Sequence, residues 1–387
     1  MSRIFYFSKL YTNVACKRFK TVMSGIQPTG IPHLGNYYGA INQWIKLKSY
    51  PNVEQIFISI VDLHSITSYD KLNNLNENVY LMAASLMACG LSGKKVSLFQ
   101  QSNIINHTYL AWILMCICPL SVCYHLKSYV SNAIQRIQAM PQWKEKLESW
   151  PGDELPNSGL LMYPVLQAAD ILLYAPELVP VGEDQIIHLE LARYLRNKLI
   201  NWHRFSPDCE LSKYLPLPEM MKCRFPKIYN LKNCKKKMSK SDENSYSRIE
   251  LMDSPDQIRN KIMKSQTDAF SRNITYDINE RPALANLINI YCSVKDSELE
   301  DAMFEIEKLS KIQFKELLVD ELIQLIDPIR LKIIDLLNNR DEIDRVLKAG
   351  HEIANQKANE TINIVAHHIG LKSHALDSYP VKSKCNQ

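Results

Sequence analysis

Acid is absent from the opening of this chain: no Asp or Glu lies between Met1 and Val53, while Arg3, Lys9, Lys17, Arg18 and Lys20 do. The first residues mix basic, hydroxylated and apolar side chains, without the long uncharged apolar core of a secretory signal. That composition is expected of a mitochondrial presequence over residues 1–21. A frayed basic N-terminus is the plainer alternative. No Cys-x-x-Cys occurs among the ten cysteines, which argues against a structural zinc site and for reduced, mostly buried thiols. His367-His368 and His351-Glu352 lack the further ligands of a metal site, so no protein metal ligands are expected. No apolar run has the length of a membrane span, and the chain reads as soluble. Neither a Walker A loop nor Gly-x-Gly-x-x-Gly is present, which excludes the two commonest nucleotide fingerprints.

What is present is globular: 387 residues, 46% hydrophobic and 22% charged, enough for two domains or one large domain with an appendage. The net charge of +5 permits a nucleic-acid partner without demanding one. Short β-rich runs at Gln55–Asp62 and Val96–Gln100 alternate with helical patterns at Asn76–Gly90 and Tyr109–Cys118. This alternation predicts an α/β fold with a doubly wound parallel, Rossmann-type sheet. Gly90 to Lys95 joins helix to strand and is a connector. His64 follows the C-terminal end of a strand, where it either contacts a ligand or makes a structural hydrogen bond. After Ser241 the periodicity is helical: Leu284, Leu287, Ile288 and Tyr291 form one apolar stripe, Leu322, Leu325, Ile326, Ile329 and Ile333 another, bent at Pro328. The expected division is 22–247, then a helical C-terminal domain over 248–371, then a disordered tail over 372–387.

The stretch Met23 to Asn36 runs from β-type residues through a Gly- and Pro-rich turn into a helical pattern. Strand, tight loop and helix start are a common design for phosphate, since backbone N–H groups and the helix dipole face the anion. Gly25, Gly30 and Gly35 permit close approach, Pro28 and Pro32 stiffen the loop, and Asn36 is a candidate N-cap. An ordinary strand-to-helix turn fits these residues equally well.

Ser24-Gly25-Ile26-Gln27-Pro28-Thr29-Gly30 with His33-Leu34-Gly35-Asn36 resembles the first ATP-binding motif of class I aminoacyl-tRNA synthetases, in its tryptophanyl-tRNA synthetase form. Lys237-Met238-Ser239-Lys240-Ser241 matches the second class I motif residue for residue. Between them, Tyr163 to Tyr174 and Val179 to Gln185 resemble the amino-acid pocket segments of the same family. The resemblance spans roughly residues 22–371.

It implies a ligase that activates tryptophan with ATP and Mg²⁺ and transfers it to tRNA(Trp). A homodimer, a C-terminal anticodon-binding region and, with the basic opening, the mitochondrial matrix follow as expectations. ATP would meet Gln27, Pro28, Thr29, Gly35, Asn36, Gly182, Glu183, Asp184, Ile228, Lys237, Met238, Ser239, Lys240 and Ser241. His33, Lys237 and Lys240 would act on the phosphates. Tryptophan would lie against Met23, Gly25, Tyr163, Asp170 and Gln185. Asp170 stands alone among apolar residues, a costly position unless a donor such as an indole N–H pairs with it. A helix cap or a salt bridge is the other use of that acid.

Trp143-Lys144-Glu145-Lys146 resembles a family segment whose lysines reach ATP, or is a solvated helix face. The sequence departs from many relatives at Met23, Gln167 and Glu243, which alters pocket packing and the second loop. Two rivals remain at this point. A tyrosyl-tRNA ligase would share the fold but need acceptors for a phenol. A non-catalytic, synthetase-like RNA-binding protein would be expected to lose Lys237, Lys240, Asp170 and Gly35 first.

Overall fold

The computed structural model describes residues 19–67, 74–119, 157–182, 185–202, 209–222, 227–240, 242–268 and 274–371. The expectations for residues 1–18, for Trp143 to Lys146, for Glu183, Asp184 and Ser241, and for the tail lie outside the described residues. Five strands form one parallel sheet: β1 (Phe19–Ile26), β2 (Val53–Ile60), β3 (Val96–Gln100), β4 (Leu178–Val181) and β5 (Glu219–Lys222). Their order is β3-β2-β1-β4-β5. The inner strands are apolar on both faces because helices cover both sides, so Ile56 to Ile60 are buried without alternation. The order reverses between β1 and β4, and ligand sites in such sheets open at the strand C-termini beside that reversal.

The chain leaves β1 through α1 (Leu34–Asn36), a π-helical stretch over Tyr37–Ile41, and α2 (Asn42–Ser49). Between β2 and β3 come α3 (Asp62–Ser65) and α4 (Leu75–Ala88), and between β3 and β4 come α5 (Asn106–Ile117) and α6 (Ser158–Leu172). α7 (Ile186–Ile200) and α8 (Glu210–Tyr214) precede β5. From Pro255 on, the elements of the described residues are helices: α9 (Pro255–Met263), α10 (Pro282–Lys295), α11 (Leu299–Ile306), α12 (Lys311–Asn338) and α13 (Arg340–His368). Local chemistry sets several starts. Ser254 and Ser310 each close a capping box with Gln257 and Gln313, and Pro255 and Pro282 occupy first-turn positions where no N–H is needed.

The helical part does not have a core of its own. Leu284, Leu287, Leu322 and Ile326 belong to the same apolar cluster as Val22, Ile56 and Ile58 of the sheet. Ala354, Ala358, Ile362 and Val365 of α13 pack with Phe99, Leu110 and Leu114 in the second cluster. α13 lies along the edge strand β3, covering backbone that would otherwise be an open pairing edge. Gly350 permits this: a Cβ there would collide with the Leu98 carbonyl and come 2.9 Å from its nitrogen. Among the described residues no helix is long and apolar enough to cross a membrane.

Candidate active site

The first loop leaves the C-terminal end of β1 beside the strand reversal. Gly30 has φ of +99°, a left-handed backbone that other side chains rarely adopt. The helix start differs from the expectation: the N-cap is His33, and Asn36 is the third helical residue. His33 has extended backbone, with φ −106° and ψ 172°, whereas Asn36 is already inside the turn. The two side chains close a reciprocal box: Asn36 N–H donates to His33 Nδ1 at 3.3 Å, and His33 N–H donates to Asn36 Oδ1 at 3.2 Å. With Nδ1 an acceptor, the remaining ring proton sits on Nε2. Gly35 makes room for this ring, since a Cβ there would lie 2.8 Å from His33 Cε1.

A second segment docks on this loop. Leu34 N–H donates to the Ile249 carbonyl and Leu251 N–H to the Pro32 carbonyl, each at 2.9 Å. The chain over Ile228 to Met238 folds as a hairpin, with a Tyr229–Lys237 bridge and Met238 N–H donating to the Ile228 carbonyl at 3.1 Å. Ile228 and Met238 are buried and anchor the loop from below. Lys240 then reaches across 210 residues of sequence to the Gly30 carbonyl at 2.8 Å, with the Thr29 hydroxyl at 3.4 Å. The two motifs therefore meet. Lys237 is exposed, Ser239 half-buried, and Gln27 and Thr29 bracket the buried Pro28.

This corner is strongly positive. Burial, aided by nearby Arg248, lowers the Lys240 ammonium to about 8, although Glu250 opposes the shift. Burial and the positive Lys240, Arg248 and Lys237 push the His33 imidazole down to about 3, so it is neutral at physiological pH. Arg248 is held in place by Glu250 at 2.6 Å and by the Asp242 carbonyl at 2.7 Å. Arg248 had no sequence signal of its own; only the contact between segments brings it here.

The other half of the site is built on α6. Tyr163, Gln167 and Asp170 recur at helical spacing and share one face, capped at the helix start by Asn157. Asp170 is only 4% exposed, yet it is neither a cap nor one arm of a simple salt bridge. Its Oδ1 accepts from Gln101 Nε2 and His107 Nδ1, and its Oδ2 accepts from His64 Nε2, each at 2.7 Å. Burial alone raises the carboxyl, but the hydrogen bonds of His107 and His64 overrule it, and the group stays ionised. With His107 Nδ1 donating, its Nε2 accepts from the Tyr174 hydroxyl at 2.9 Å. A carboxylate offers about four acceptor directions, so one on Oδ2 is left over. His64 thus makes the structural hydrogen bond. Gln101 and His107 were not singled out in the sequence. Gln101 immediately follows β3, and the rule placing ligands beyond strand C-termini points to it.

Around the carboxylate, Met23 and Phe57 are buried in one cluster, and Phe57 stacks on Tyr174 at 4.7 Å between centroids. Tyr163 bonds His188 at 3.1 Å. Gln167 Nε2 donates to Gln185 Oε1 at 2.9 Å, so the departure at Gln167 fixes the orientation of the Gln185 amide. Gly25 packs against Val61, 3.0 Å from where its Cβ would be, and Gly182 directly follows β4. Met23 and Gly25 lie in the C-terminal half of β1, and the other described candidate residues lie on the segments that follow the C-terminal ends of β1 and β4, on α6, or on the hairpin and the residues just after it.

Residues 16–326 match the family model of class I tRNA synthetases for W and Y. The chain is 40% identical over 351 residues to a tryptophan–tRNA ligase of Prochlorococcus marinus, covering 91% of this chain and 97% of that one. The structure of tryptophanyl-tRNA synthetase from Mycoplasma pneumoniae is similar with a TM-score of 0.75 and 28% identity, over 92% and 99% of the two chains. That of the Campylobacter jejuni enzyme complexed with ADP and tryptophane has a TM-score of 0.70 and 26% identity, over 91% and 100%. With the order of its strands and the two motifs in contact, the chain belongs to the class I tRNA synthetases of the tryptophan and tyrosine family.

Proposed function

We propose that this chain is a tryptophan–tRNA ligase. The tryptophan carboxylate attacks the α-phosphorus of ATP; the new C–O–P bond forms as the bond to the bridging oxygen breaks and pyrophosphate leaves. The 2′-hydroxyl of the terminal tRNA ribose then attacks the activated carbonyl, and AMP departs. Neither step uses a covalent enzyme nucleophile, so catalysis is positioning and charge stabilisation. The observation that carries the reading is the Lys240 ammonium seated against the Gly30 carbonyl, which closes one motif on the other.

In this reading Lys237 and Lys240 stabilise charge on the departing pyrophosphate, and neutral His33 donates from Nε2 to a phosphate oxygen. The first-loop residues Gln27, Pro28, Thr29, Gly35 and Asn36 face ATP, with Gly182, Ile228, Met238 and Ser239; Glu183, Asp184 and Ser241 complete the set. Mg²⁺ arrives on the triphosphate as part of the substrate. Asp170 accepts the indole N–H of tryptophan, with Met23, Gly25, Tyr163 and Gln185 around the amino acid. Residues 248–371 are proposed as the anticodon-binding region. A homodimer is proposed, supported by the exposed apolar line Ile105, Tyr109 and Trp112 beside and along α5. The mitochondrial matrix is proposed on the acid-free basic opening alone.

The test is ATP–pyrophosphate exchange without tRNA, comparing tryptophan with tyrosine and phenylalanine. Exchange with tryptophan alone is expected. Exchange driven equally by tyrosine, or none in folded protein, refutes the proposal.

A further inference from the structure

Two lysines of the acid-free run from Met220 to Ser241 belong to the site; others do not, and several of them project together elsewhere on the same hairpin. Lys232, Lys235 and Lys236 are exposed near its tip, and Lys264, exposed at the end of α9, joins them. The tip is well ordered by its own bonds: Asn230 Oδ1 accepts the N–H groups of Lys232 and Asn233 at 2.7 and 3.0 Å, and Asn230 N–H donates to the Lys236 carbonyl at 2.9 Å. Lys232 Nζ donates to the Lys264 carbonyl at 2.6 Å, and Gln266 N–H to the Leu231 carbonyl at 2.8 Å, so hairpin and helix end form one platform. Both ammonium groups lean over the Tyr246 ring, Lys264 at 5.0 Å and Lys232 at 5.8 Å from its centroid.

The neighbouring acids are committed to other groups. Asp242 accepts from the Asn230 amide, Asp253 pairs with Lys261, and Asp268 holds Arg281 and Lys311. Glu243 is exposed and is the nearby acid without such a bond among the described residues. Lys315 adds positive charge from beneath: it is 7% exposed and donates to the carbonyls of Met263 and Ser265 at 3.0 and 2.9 Å. Gathering like charges this way opposes itself electrostatically, and an extended polyanion relieves it by contacting several ammonium groups at once.

We infer that Lys232, Lys235, Lys236 and Lys264 around Tyr246 form a docking surface for the phosphodiester backbone of the tRNA acceptor strand. This rests on the ligase reading, in which the RNA 3′ end must reach the loop bearing Lys237 and Lys240. Three of the platform's lysines lie on that same hairpin, Lys236 one residue before Lys237. A mononucleotide does not account for it, because the spread of exposed ammonium groups matches a run of phosphates and not a single one.

The double variant Lys232→Glu with Lys264→Glu tests this, with Lys232→Arg and Lys264→Arg as the conservative pair. Tryptophan-dependent exchange without tRNA should stay within about twofold, while the KM for tRNA in charging rises at least about tenfold at ~0.1 M salt. Fluorescence titration of a labelled transcript bearing a tryptophan anticodon should lose about 1.4–1.8 from its log–log salt slope, for two lost phosphate contacts. The arginine pair should restore both. An unchanged KM and slope overturn the inference, as does a fall in exchange that parallels the fall in charging. Wild-type protein without exchange would instead defeat the ligase reading, and the titration would still judge the surface directly.

Discussion

Replacing Asp170 by Asn keeps the shape of the side chain and removes its charge, so it isolates what the buried carboxylate does. In the native site three donors converge on it at 2.7 Å, from Gln101, His107 and His64. An amide presents one oxygen and one NH₂, so either the two donors on Oδ1 or the His64 side must face another donor. His64 can relieve its side by changing tautomer, which leaves an NH₂ where the indole N–H of tryptophan needs an acceptor. Losing a hydrogen bond to a charged group costs about 1.5–3 kcal/mol, and stranding a buried donor about 1–3 more. Together these predict a KM for tryptophan raised about 10²–10⁴-fold in the exchange assay, while kcat changes far less. A tryptophan analogue with sulfur in place of the indole N–H supplies the second arm. Wild-type enzyme should reject it strongly, and the variant should barely discriminate, because the acceptor whose absence is felt is gone from both cases. If the variant keeps the native KM, or still prefers tryptophan over the analogue by the native factor, Asp170 does not read the indole nitrogen.

Lys240→Ala should slow adenylate formation by about 10²–10³-fold with little change in tryptophan affinity; a normal pre-steady-state burst would remove Lys240 from the chemistry. The Lys240 ammonium at about 8 is charged below that pH and neutral above it, and bound phosphate favours the charged form. ATP affinity should therefore fall as pH rises above 8, by up to about tenfold per unit, and flatten in Lys240→Arg, which stays charged. Gly35→Ala places a Cβ 2.8 Å from the His33 ring and should lower exchange without altering tryptophan KM, measured at matched thermal stability. Gly350→Ala should destabilise folding by about 1–3 kcal/mol in denaturant, since α13 must lift from the Leu98 backbone, with the first loop's own geometry unchanged.

Much of this was readable along the chain because it is local. The Gly30 turn, the apolar strand runs, the helical stripes after Ser241 and the five residues Lys237 to Ser241 each carry their information within a few positions. Even there, the sequence suggests Asn36 as the cap that His33 provides, because a box closed from both sides looks alike from either end in sequence. The convergences needed the fold. Asp170 draws donors from 106, 69 and 63 residues away, and Lys240 reaches Gly30 across 210. Such contacts are decided by which strand ends the sheet order brings side by side, and nothing in local propensity encodes them. The shared core has the same origin: the helical pattern of α13 predicted a helix, but only close packing at Gly350 decided that it would cover the edge of the sheet. Sequence therefore determined the elements and the chemistry they carry, and tertiary structure decided which chemistries meet, because burial and charge act through distance in space.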